Sequence, residues 1–195
     1  AGTGLPLSAT TKHAGDSFWV TVSALDSAGG VITDFTGTVV LTSNAWDGPV
    51  NAVIASGGSK TLQLTTTIAG APLSRSITAT WDPVVGTNVV TTNASGFFTV
   101  APDQASKLQV LLPGETAAPG TATGKTGTPI NQVSGEDFVV RVNSVDDYFN
   151  VVSTTETVHL EASGGSMTAV ADKALVGGST TFDVTFNATG SWTLT

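Results

Sequence analysis

The groups in this sequence best suited to chemistry are carboxylates. Asp146 and Asp147, joined by Glu136 or Asp137, are the set that calcium would take, because a hard cation wants six to eight oxygens from clustered carboxylates and carbonyls. No Asp-x-Asp-x-Asp-Gly loop accompanies them. Asp146 also has a counterpart in Asp26, and both stand at the end of a predicted strand. An Asp there accepts hydrogen bonds from backbone N–H groups two residues on. That turn role is the preferred reading. Calcium ligation is the alternative, and no other cofactor is expected.

Four tryptophans offer aromatic faces on which a sugar ring could stack. Trp19 alternates with Phe18 and Val20 and so points to the outer face of its strand. Trp46-Asp47 and Trp81-Asp82 fall in predicted loops. Trp192 occupies an inward strand position and is expected in the core. Trp19, Trp46 and Trp81 are therefore the candidate ligand-binding residues.

Nucleophilic catalysis finds no support. A serine nucleophile needs a base within hydrogen-bond reach and a group that orients the base. The only histidines, His13 and His159, lie far apart in the chain, and no Gly-x-Ser-x-Gly elbow occurs. Gly120-Thr121-Ala122-Thr123-Gly124-Lys125-Thr126 has only three residues between its glycines, against four in a phosphate loop, and no helical pattern follows it. No enzyme activity is expected. Asn93-Ala94-Ser95 and Asn187-Ala188-Thr189 match the acceptor pattern for N-linked sugar, which matters only in a host that glycosylates secreted proteins.

The composition narrows the classes further. Of 195 residues only 11% are charged, 15 of them acidic and 7 basic, for a net charge of −8. Such a surface repels a phosphate backbone, so nucleic acid is not an expected partner. No apolar run approaches the roughly 18 residues of a membrane helix. Cysteine is absent, which removes disulfides and thiolate sites.

The elements that must position these residues are strands. With 33 threonines and 22 glycines, and few strong helix formers, the chain suits pleated strands punctuated by turns. Apolar and polar residues alternate over Phe18–Val22, Thr38–Leu41, Thr61–Thr65, Ser76–Thr80, Leu108–Leu111, Phe138–Val142 and Thr181–Phe186. Turn clusters such as Ser27-Ala28-Gly29-Gly30 and Ser163-Gly164-Gly165-Ser166 separate them.

The pattern also repeats. Setting Gly15 against Gly135 brings Phe18 onto Phe138, Val20 onto Val140, Val22 onto Val142, Asp26 onto Asp146 and Val31 onto Val151. Gly57-Gly58-Ser59-Lys60-Thr61 falls on Gly177-Gly178-Ser179-Thr180-Thr181, and Gly70 on Gly190. These are matches at alternate strand positions and at turns. The fold class expected is all-β, as two tandem immunoglobulin-like β-sandwich domains at 1–101 and 102–195.

The run Gly-x-x-Phe-x-Val-x-Val-x-x-x-Asp, then Val31-Ile32 or Val151-Val152, then Gly-Gly-Ser-x-Thr, resembles bacterial immunoglobulin-like repeats of the invasin-like kind. Leu108–Gly120 is similar to the opening strand of repeats strung together in large secreted surface proteins. The resemblance spans essentially the whole chain and carries no catalytic residues. It implies an extracellular or cell-surface location and an architectural role in stalks, envelopes or fibres.

The first copy lacks an equivalent of the leading strand Lys107–Leu112. The second stops before an equivalent of the late strand Ser95–Val100. The window is thus out of phase with the repeat, as a piece of a longer array or as a subunit completed by a neighbour's strand. The expected function is a structural module whose partners are adjacent repeats or copies of itself. The alternative is an adhesin module that binds a surface glycan through its loop tryptophans.

Overall fold

The computed structural model describes residues 11–81, 93–164 and 166–195. Regular structure among them is all-β, with no helix and hence none long and apolar enough to cross a membrane. The chain divides into two compact units, Ala1–Ala101 and Pro102–Thr195, each with its own apolar cluster.

The first unit contains β1 (Lys12–His13), β2 (Ser17–Ser23), β3 (Gly37–Ser43), β4 (Val50–Ile54), β5 (Ser59–Thr65), β6 (Ile77–Trp81), β7 (Asn93–Ala94) and β8 (Val100–Ala101). One sheet pairs β2 with β5 and a second runs β4-β3-β6-β7, while β8 lies parallel to β1. Alternation along each strand sends every second side chain inward. Phe18, Val39, Leu41, Ile54, Leu64, Ile77, Phe98 and Val100 are all buried in one cluster. Burying each of the larger ones contributes about 1.5–3 kcal/mol.

The second unit contains β9 (Lys107–Leu111), β10 (Glu115–Ala117), β11 (Lys125–Gly127), β12 (Asp137–Val145), β13 (Thr157–Val158), β14 (Lys173–Ala174) and β15 (Ser179–Thr185). Its main sheet has the order β15-β12-β9, and its cluster is built on Val140, Val142, Val158, Leu160, Leu175, Phe182 and Val184.

The β2–β5 and β12–β15 pairs have the same register. Phe18 faces Leu64 and Val20 faces Leu62, as Phe138 faces Val184 and Val140 faces Phe182. Beyond β15 the spacing changes. Ile77 pairs with Ser43, and Leu194 bridges Ala162. Leu194 packs against the second cluster, as Ile77 belongs to the first. This corrects the expected core position of Trp192: it falls two residues before Leu194, at the place Arg75 holds before Ile77. The connection after β15 is three residues shorter than the one after β5.

Candidate functional site

The carboxylates do not gather into a cation site. β12 separates Glu136 and Asp137 from Asp146 and Asp147 by roughly 30 Å of extended chain. Asp146 is fully buried and saturated by protein donors. Its Oδ1 accepts from the amides of Tyr148 and Asn150, both at 2.9 Å. Its Oδ2 accepts from the Asp103 amide at 3.0 Å and from Asn150 Nδ2 at 2.9 Å. Groups that donate hydrogen bonds are turned toward this carboxylate, the reverse of what a cation needs. Asp137 accepts from Thr185 Oγ1 across the strand pair, and Asp147 and Glu136 are exposed. Among the described residues no group of three or more potential ligands could hold a metal ion. The calcium expectation is therefore corrected for this set.

Asp26 works in the same way. Its Oδ1 accepts from Ala28 N at 2.9 Å and Gly30 N at 2.8 Å, 120 residues before the equivalent bonds of Asp146. The surrounding backbone bonds follow suit. Asp26 N donates to Gly30 O at 2.8 Å, and Asp146 N to Asn150 O at 3.0 Å. Ala24 N donates to Gly58 O and Ser144 N to Gly178 O, each at 2.8 Å. Gly58 and Gly178 have φ of 65° and 82°, and a Cβ on either would overlap a carbonyl, that of Ile32 or of Val152. Glycine is required at both for two reasons at once.

The tryptophans part company. Trp19 is 68% exposed on the outer face of β2. Trp46 belongs to the first core at 6% exposure. Trp81 is the last residue of β6 rather than part of a loop, and its ring meets Phe35 edge-on at 5.1 Å. Val39 pairs with Trp81 at the start of β3, whereas Trp46 follows the end of that strand. The two sit at opposite ends of the sheet, so they do not form one aromatic platform. Trp192 lies over Gly190 and stacks on Phe186 with ring centroids 5.8 Å apart, and Phe186 stacks on Phe138 at 6.0 Å.

The remaining candidates have local partners. Lys125 begins β11 and pairs with Glu115 at 2.7 Å, so the glycine loop before it is a hairpin tip. Burial disfavours the charge on Glu115, but the Leu112 amide at 3.0 Å and the Lys125 ammonium outweigh it and hold its carboxyl below the ordinary value. Asp172 accepts from His159 at 2.5 Å and Glu161 lies 3.2 Å away; the Asp172 hydrogen bond, chiefly, raises the imidazole pKa above its usual value. His13 is exposed, 3.9 Å from Asp16. Asn187 is exposed, donating to Thr168 Oγ1 at 3.0 Å. Asn93 opens β7, and its side chain and Asp82 lie outside the described residues.

One concavity went unread in the sequence. A groove of about 540 Å3 in the second unit is lined by Leu112, residues 129–134, Phe138, Phe186 and residues 188–192. Ile130 and Val133 on its rim are 62% and 63% exposed. The available signal was a pair of isolated aliphatic residues, Ile130 and Val133, in a segment with no strand alternation. No protein-family model, curated protein or solved structure matches this chain.

Proposed function

We propose that the chain is a pair of tandem immunoglobulin-like sandwiches serving as a structural module of a secreted cell-surface protein, in a stalk, envelope or fibre. The observation that carries this reading is the recurrence of one hydrogen-bonded frame at a spacing of 120 residues. It includes the Asp26 and Asp146 turns, the Gly58 and Gly178 contacts and the registers of β2–β5 and β12–β15. A frame kept in duplicate, with its polar groups spent on internal bonds, suits a load-bearing or spacing role. Its partners are then adjacent modules or copies of itself, outside the cell, and its work requires neither catalysis nor a cofactor.

The glycan-binding alternative retains Trp19 alone as an exposed ring. Calorimetric titration of the full chain with soluble surface glycans separates the two. A structural module shows no saturable heat. Saturable binding abolished by Trp19→Ala, with the fold intact, establishes the adhesin reading instead. Electron microscopy of the native assembly tests the architectural role directly: the chain must appear as part of a fibre, lattice or stalk.

A further inference from the structure

In the first unit, the segment that ends in β8 closes the core. Phe98 and Val100 are 3% and 0% exposed, and Phe98 meets Phe18 edge-on at 5.9 Å. The backbone of this segment is held on both sides. Lys12 N donates to Thr99 O at 3.0 Å and Ala14 N to Ala101 O at 2.9 Å. On the other side Gly70 N donates to Val100 O at 2.9 Å, and Arg75 exchanges bonds with Phe98 at 3.1 and 2.9 Å.

The same place in the second unit is the groove. Phe138 stands for Phe18, and Gln132, Ser134, Gly190 and Trp192 stand for Lys12, Ala14, Gly70 and Arg75. The backbone amides of these four residues have no hydrogen-bond partner among the described residues. Ala14 is 2% exposed, whereas Ser134 is exposed. A trough lined by Leu112, Phe138 and Phe186 among polar residues, and flanked by two rows of free amides, is the arrangement that accepts an added strand.

We propose that this groove receives an extended polypeptide strand, apolar at alternate positions like Phe98-Thr99-Val100, and parallel to residues 132–134 as β8 is to β1. The proposal rests on the reading of both units as one kind of sandwich. Main-chain bonds to Gln132, Ser134, Gly190 and Trp192 hold the strand. Its inward side chains lie against Phe138, Phe186 and Leu112. The strand is aliphatic or aromatic and uncharged on that side, since the trough offers no charged group to pair.

The test extends the full chain past Thr195 by a short glycine-serine linker and a copy of residues 95–101, and compares amide hydrogen exchange with and without the extension. Exchange at Gln132, Ser134, Gly190 and Trp192 is expected to slow by at least about tenfold, while amides of the first unit are unchanged. The same extension carrying Phe98→Asp and Val100→Asp is expected to give no protection. A free peptide of residues 95–101 added in trans must reproduce the protection at high concentration. Unchanged exchange in the extended chain overturns the proposal and leaves the structural-module reading in place. Glycan binding would remove that reading while leaving the groove result intact.

Discussion

The two units differ most where their frames end. In the first, a strand carrying Phe98 and Val100 seals the space beside Phe18. In the second, Phe186 and Trp192 stack along Phe138 and leave an open trough. The position of Phe186 is taken in the first unit by Thr66, which is fully buried and donates to His13 O at 2.9 Å. A small polar residue leaves room for a strand to bring its own aromatic ring. A large ring at that position shields part of the exposed core by itself. The same frame is thus closed by a backbone in one unit and partly by side chains in the other.

The largest expected effect breaks this comparison at its centre. Phe98→Ala should destabilise the first unit by about 3–5 kcal/mol, the range for truncating a buried ring. Trp192→Ala, at a ring only partly buried, should cost the second unit less, about 2 kcal/mol. Urea unfolding followed by resolved backbone resonances of each unit checks both, and equal losses would erase the distinction.

Next is the pair of aspartates. Asp146→Ala should cost roughly 3 kcal/mol, because several buried donors lose their acceptor. Asp26→Ala should cost about 1 kcal/mol, because its turn is exposed and water replaces the carboxylate. Between the two aspartates lie Gly58→Ala and Gly178→Ala. Each forces a Cβ onto a carbonyl at positive φ, and the two losses should match at about 2 kcal/mol or more. A mismatch there would show that the frame is not held equally in both units.

The smallest effect is electrostatic. His159 should titrate above its ordinary value, and Asp172→Asn should bring it back down, read from the ring resonances across a pH series. A raised folded-state value means that the contribution of this cluster is present in full below the unfolded pKa. It is lost as pH rises through the folded one.

The strands and turns were legible because they depend on short-range alternation and on glycine. Phe18–Val22 and Phe138–Val142 fall within β2 and β12, and Leu108–Leu111 within β9. Asp26 and Asp146 were readable as turn devices from their residue type and their place after a strand. The fate of the tryptophans was not legible. Whether Trp46 fills a core or crowns a loop depends on how the chain folds back after β3, and no local pattern encodes that. The shift that places Leu194, not Trp192, opposite the Ile77 position comes from a loop three residues shorter, invisible until strand pairing fixes the register. The groove escaped notice because it is defined by amides without partners, and a sequence does not display which of its N–H groups are used.

The placement of the indole rings has a practical consequence. Three of the four tryptophans belong to the first unit and Trp192 alone to the second. Replacing Trp19, Trp46 and Trp81 with phenylalanine would leave a chain whose indole emission comes from a ring lining the trough alone. An arriving strand would announce itself there as a change in colour, with no label attached.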